Sequence, residues 1–197
     1  MNNFSLTTYL TSNVDITTQE VELLSANCKL KRLKRGEYIL QQGALCHHVF
    51  FVESGLMRQY SIDEKGKEHV IQFAPENWFL SDRESLYFNK PSLYYFQAIE
   101  DSVLIMIEEQ SLLKLSKINA SFLEFNNKLL HNHIRNLQNR INQLLSSTAE
   151  QRYLDFVKMY PDLLLRVPLI MVASYLGITP ESLSRIRKDL ATKNFRK

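Results

Sequence analysis

Cysteine is nearly absent: Cys28 and Cys46 stand alone in 197 residues, too few for a disulfide framework and without the paired spacing of a zinc or iron–sulfur site. No uncharged apolar run approaches the roughly 18 residues that a helical membrane span requires. The opening Met1-Asn2-Asn3-Phe4-Ser5 lacks the basic and apolar regions of a signal peptide. A cytoplasmic protein with no membrane partner is therefore expected. Low-complexity tracts and internal repeats are missing too, which excludes solenoids and repeat arrays. Glycine numbers only five, and after Glu109 none occurs until Gly177, so that stretch is free of the residue that most often breaks a helix.

What is present is an ordinary globular composition, 45% hydrophobic and 23% charged, long enough for two compact units. The net charge of +3 is unevenly spread. From Thr148 onward nine Lys/Arg, among them Arg152, Lys193, Arg196 and Lys197, face five acids, so this tail carries +4 and the rest of the chain −1. A basic module on a near-neutral body points to a polyanionic partner, because Lys and Arg gain affinity by displacing counterions from phosphates.

Three textures divide the chain. Residues 1–28 read as a short helical entry, with Thr17-Thr18-Gln19-Glu20 ahead of Val21, Leu23 and Leu24. From Leu30 to Glu108 the pattern turns to short β-rich runs: Tyr38 to Leu40, Val49 to Val52, Leu56 to Ile62, His69 to Phe73, Tyr94 to Ala98 and Val103 to Ile107. Gly43, Gly55, the turn Asp63-Glu64-Lys65-Gly66, Pro75 and Pro91 punctuate them where a small antiparallel barrel or jelly roll needs corners. The basic run Lys29 to Arg35, interleaved by Leu30 and Leu33, reads as a solvated edge leading into the first strand. Beyond Glu109 the periodicity is helical.

Ser121 to Ser147 carries a heptad. Leu123, Leu130, Leu137 and Leu144 recur at every seventh position, and Asn127, Ile134 and Ile141 follow the same step four residues on. Isoleucine at a with leucine at d favours two parallel strands, and one Asn at a can fix register. These seven residues are the expected homodimer interface. Phe122, Phe125 and Leu129 lie on a neighbouring face, free to pack on the barrel.

The sharpest signal is Pro168 to Leu190, PLIMVASYLGITPESLSRIRKDL. Pro168 suits the first turn of a helix ending at Leu176, and Gly177 can take the left-handed conformation that stops it. Thr179 then caps a second helix, with Pro180 at its first position and Glu181 in its positively polarised first turn. Two short helices around a glycine turn make a helix-turn-helix. Val172, Ala173, Leu176, Ile178, Leu183, Ile186 and Leu190 supply its core. Thr179, Glu181, Ser182, Ser184, Arg185 and Lys188 are the candidate DNA contacts, placed where a recognition helix enters the major groove of double-stranded DNA.

With these motifs in view the chain resembles the Crp/Fnr family of bacterial transcription factors, whose members join a cyclic-nucleotide-binding-like barrel to a C-terminal winged helix-turn-helix through a long dimerisation helix. The resemblance rests on LKRGEYILQQGA (Leu33 to Ala44), FFVESGLMRQY (Phe50 to Tyr60), the strand after Gly66, and VASYLGITPESLSRIRKDL (Val172 to Leu190). It implies base contacts for Glu181, Ser184 and Arg185, and RNA polymerase as a further candidate partner. Two departures stand out. Seven residues follow Leu190, too few for the usual β-hairpin wing. The family's cyclic-nucleotide cassette joins a Gly-Glu pair to a later Arg-Ser or Arg-Thr; here Ser81-Asp82 replaces the first and Leu93 to Tyr95 the second. A buried phosphate without its countercharge is costly, which argues against cyclic AMP. Trp78, Asp82, Arg83, Tyr94 and Tyr95 are the candidate pocket for another small-molecule effector, with Arg83 as a substitute cation.

Histidines 47, 48 and 69 raise the alternative of a metal-dependent barrel enzyme, but adjacent strand residues point to opposite faces and no His-x-His spacing occurs. The other alternative is an effector-binding sensor or adaptor without DNA binding. The expected architecture is α+β: a sensor barrel over 1–118, a dimerisation helix over 119–147, and a helix-turn-helix domain with a truncated or missing wing over 148–197. It is expected to be no enzyme, with no cofactor and no metal.

Overall fold

The computed structural model describes residues 5–194, so Arg196 and Lys197 of the basic tail lie outside the described residues. Backbone packing divides the chain into two units: one takes the residues to Ser61 together with Gln72–Asn132, the other takes Ile62–Ile71 together with the residues from His133.

The first unit is built on two antiparallel four-stranded sheets. One has the order β1-β8-β3-β6 (Lys29–Leu33, Ser102–Glu108, His48–Ser54, Phe79–Leu80) and the other β2-β7-β4-β5 (Tyr38–Leu40, Tyr95–Ala98, Met57–Ile62, Glu68–Ala74). The jelly-roll expectation holds. Strand β3 is buried on both faces, which is why it reads as an unbroken apolar run rather than an alternation. Phe50 and Val52 join Leu40, Met57, Phe96 and Leu104 between the sheets. Phe51 turns the other way and joins Ile105, Ile107, Leu115 and Phe122 under the helices. Those helices are α1 (Ser5–Asn13), α2 (Thr18–Ser25), α4 (Glu109–Ile118) and the start of α5 (Ala120–Ser146). Helix α2 begins with a capping box, the Thr17 hydroxyl accepting from the Glu20 amide and the Glu20 carboxylate accepting from the Thr17 amide.

Two features differ from the sequence reading. The basic run is itself strand β1, paired with β8 from Lys29↔Met106 to Leu33↔Ser102. It is an edge strand, and lysines along an edge discourage pairing with foreign strands. Second, the stretch after Leu80 contains a six-residue helix, α3 (Arg83–Phe88), capped by Asp82, whose side chain accepts from the Glu84 and Ser85 amides.

The second unit holds the tip of the β4–β5 hairpin, the later part of α5, and α6 (Ala149–Met159), α7 (Leu163–Arg166), α8 (Leu169–Leu176) and α9 (Pro180–Asn194). The hairpin turn forms where Asp63-Glu64-Lys65-Gly66 places it: the Gly66 amide donates to the Asp63 carbonyl at 2.9 Å, and the Asp63 carboxylate accepts from the Lys65 and Lys67 amides. Among the described residues no helix is long and apolar enough to cross a membrane.

Candidate functional site

Helices α8 and α9 form the expected pair. Pro168 is the N-cap of α8 rather than part of its first turn, and Gly177 closes the helix at φ 66, ψ 36, the left-handed region open to glycine. The Ser182 amide donates to the Thr179 hydroxyl at 3.2 Å, fixing the start of α9. Val172, Ala173, Leu176, Leu183 and Ile186 are buried between the helices and their support, with Leu190 at the margin. The polar residues are left outside: Thr179, Glu181, Ser184, Arg185 and Lys188 are exposed and Ser182 half-buried. The Glu181 carboxyl is held below its usual range, first by its own backbone amide and then by the Thr179 hydroxyl. This face therefore presents a fixed acceptor one turn before an arginine donor.

The basic charge of this unit is not all available to a ligand. Arg152 donates from Nε to the Leu176 carbonyl at 2.9 Å and from Nη1 to the Ser147 carbonyl at 2.7 Å, so it caps the C-termini of α8 and α5. Lys193 reaches Glu150 at 2.9 Å in an exposed pair. Arg185, Arg187 and Lys188 are further exposed cations of α9. No local sequence signal marks Arg152 as a helix cap, because its carbonyl partner on α8 lies 24 residues away.

Along α5 only Phe122 is buried, under the barrel helices as expected, with Phe125 half-buried beside it. The heptad positions remain open: Leu123, Asn127, Ile134, Leu137, Ile141 and Leu144 are exposed and Leu130 half-buried. Ile141 is 58% exposed, a large apolar surface for a single chain to leave in water. Leu144 also lies close to the end of α8, its Cδ2 3.2 Å from where a Cβ on Gly177 would sit.

The candidate effector residues separate. Trp78 and Tyr94 pack against the cluster between the sheets, and Asp82 is buried close enough for its charge to act on Tyr94. One Asp82 oxygen caps α3, while Oδ2 is buried without a hydrogen-bond partner. Burial raises the Tyr94 phenol above its usual range, and the Asp82 and Glu84 charges add to that. Tyr95, the first residue of β7, is instead stacked on Tyr60 at 5.1 Å. Arg83 lies on α3 with its guanidinium 5.9 Å from the Tyr87 ring. The charge that reaches Tyr94 is thus negative, an unfavourable setting for a cyclic phosphate.

Both thiols are shielded. Burial, with the Glu108 charge, pushes Cys28 up to about 11, and burial raises Cys46, whose thiol donates to the His48 carbonyl at 3.3 Å. Since the thiolate is the nucleophile, Cys28 at pH 7.5 is expected to react with iodoacetamide about two orders of magnitude more slowly than free cysteine. Peptide mass mapping of native against urea-unfolded protein checks this; equal labelling would contradict it. Burial likewise lowers His48. Among the described residues no group of three or more His, Cys, Asp or Glu side chains is arranged to hold a metal ion.

Comparison with known proteins adds the following. Residues 30–119 match the Cyclic nucleotide-binding domain family. The chain is 24% identical over 180 residues to the Anaerobic regulatory protein of Pasteurella multocida; the match covers 85% of this chain and 65% of that protein's length. Among solved structures, FixK2 from Bradyrhizobium japonicum is similar with a TM-score of 0.73 at 19% identity, over 85% of this chain and 86% of its own. A Eubacterium rectale protein assigned to the Crp/Fnr family of transcriptional regulators is similar with a TM-score of 0.68 at 19% identity, over 94% and 88%. Identities this low speak to the fold.

Proposed function

From a chain with the Crp/Fnr fold and a cyclic nucleotide-binding domain over residues 30–119, we propose a cytoplasmic, homodimeric, sequence-specific DNA-binding regulator. The observation that carries the reading is the capped α8–Gly177–α9 pair with Glu181, Ser184, Arg185 and Lys188 exposed on α9. An arginine there donates two hydrogen bonds to guanine, and Glu181 accepts from cytosine. Thr179 and Ser182, at the helix start, lie where phosphate contacts position the protein. Two chains join through Leu123, Asn127, Leu130, Ile134, Leu137, Ile141 and Leu144, and the two-fold places half-sites about 34 Å apart.

DNA affinity should fall by orders of magnitude between about 50 and 200 mM salt, as counterion release requires of several phosphate contacts. Because Lys193 is paired with Glu150, Lys188→Ala should reduce the salt slope by about 1 and Lys193→Ala by less. Electrophoretic shift with the DNA upstream of its own gene, over a salt series, checks both. Failure to shift any DNA would favour a sensor or adaptor that does not bind DNA.

The barrel then senses an effector that is not a cyclic nucleotide, with Trp78, Asp82 and Tyr94 at its site. Cyclic AMP and cyclic GMP are expected to give no heat in calorimetry at micromolar concentration. Micromolar binding of either would overturn this assignment while leaving the DNA reading intact.

A further inference from the structure

Three segments of the second unit meet at the guanidinium of Arg140. Its Nη2 donates to the carbonyls of Tyr175, at 2.6 Å, and Val70, at 3.3 Å. The group also lies 3.7 Å from the centre of the Tyr175 ring, a cation–π contact. Helix α5 thereby holds both the last turn of α8 and the β4–β5 hairpin. The hairpin makes its own tie to that turn, for the Ser174 hydroxyl donates to the Glu68 carbonyl at 2.8 Å and accepts from the Val70 amide at 3.0 Å. Tyr175 is buried and packs against Phe156 and Tyr160, with ring centres 5.4 and 6.1 Å away.

Resting on the proposals of a dimer and of α9 as the recognition helix, we propose that Arg140 is a positioning residue that sets the spacing between the two DNA half-sites. The last turn of α8 leads into α9 through Gly177, Ile178 and Thr179 alone, so whatever fixes that turn fixes the direction of α9. Arg140 ties it to the helix that carries the dimer seam. The tie controls distance because α9, at 15 residues, is a lever about 22 Å long. Arg185 lies about 8 Å along that lever, so a swing of about 10° in each chain moves it by about 1.4 Å and changes the separation of the two reading faces by about 3 Å, close to the roughly 3.4 Å rise of one base pair.

Arginine suits the task because one planar guanidinium nitrogen donates to two carbonyls while the flat face of the group covers a ring; a lysine ammonium keeps the charge and loses that face. In Arg140→Lys the base-reading residues of α9 are untouched. Selection of binding sites from random DNA should therefore return the wild-type half-site sequence, while the share of sites with spacers one base pair longer or shorter rises several-fold. Ser174→Ala, which removes only the hairpin tie, should widen the spacer distribution in the same sense but less. Circular dichroism and melting curves establish that each variant is folded. If Arg140 merely stabilises the fold, affinity drops evenly at every spacing and a single spacer length survives in both variants; that result overturns the proposal. Should Arg140→Lys fail to fold, Ser174→Ala carries the same test. If the wild-type protein selects no site at all, the DNA-binding reading falls instead.

Discussion

Leu137→Asp is expected to leave the protein folded and monomeric in light scattering at micromolar concentration, where the wild type runs at twice the chain mass. Leu137 sits at the middle of the heptad, flanked along the seam by Ile134 and Ile141, and all three are exposed in the single chain. Burying a leucine or isoleucine side chain contributes about 1.5 to 3 kcal/mol, so two copies of this stripe offer a large gain that one chain leaves unused. An aspartate at position 137 would place two like charges in a desolvated seam, at a cost of several kcal/mol. In the monomer the same residue faces water and costs little. Because a monomer engages one half-site, affinity for a two-fold operator should fall about 100-fold or more. A wild-type protein that is monomeric at these concentrations would remove the seam.

Gly55→Ala should have the larger effect on stability. Gly55 has φ +91, and a Cβ there would meet Ser102 Oγ at 2.4 Å, the Asp101 carbonyl oxygen at 2.7 Å and Ser102 Cα at 2.7 Å. The serine cannot step aside cheaply. Its Oγ accepts from the Leu56 amide at 3.1 Å and donates to the Glu100 carbonyl at 2.8 Å, tying the β3–β4 turn to the start of β8. Strain at positive φ together with the clash should cost about 2 to 5 kcal/mol. Gly43, at φ +86 with nothing within 4 Å of its Cβ position, provides the control. Gly43→Ala should cost only the backbone term, about 1 to 2 kcal/mol. Urea unfolding of both variants measures the difference, and coincident curves would show that the contact at Gly55 carries no energy.

These contrasts follow a wider rule about what a single sequence shows. Elements whose signal is local were legible: the helical entry at Thr17–Glu20, the cap at Thr179, the glycine stop at Gly177, the turn at Asp63–Gly66, and the buried strands β3, β4 and β8. Elements shorter than their own period were not. Helix α3 has six residues, under two turns, and β6 has two. Strand β1 was masked by its charges, since an exposed edge strand has no apolar face to alternate. At the candidate sensor site Tyr94 ends the turn tied to Ser92 while Tyr95 opens β7, and only Tyr94 joins Trp78 in the cluster between the sheets. The joint at Arg140 left no local trace, because its partners Val70 and Tyr175 lie 70 and 35 residues away.

Base reading by α9 is the centre of the account, and selection from random DNA with the wild type and Arg185→Ala tests it most directly. Arg185 follows Glu181 by one helical turn, so the two share a face, and both are exposed. The wild type should return a near-palindrome. Arg185→Ala should lose about 1 to 3 kcal/mol at that site and relax the preference at one base pair of each half-site, leaving the others intact. An unchanged consensus with Arg185→Ala, or a wild-type protein that recovers no preferred sequence, would contradict it.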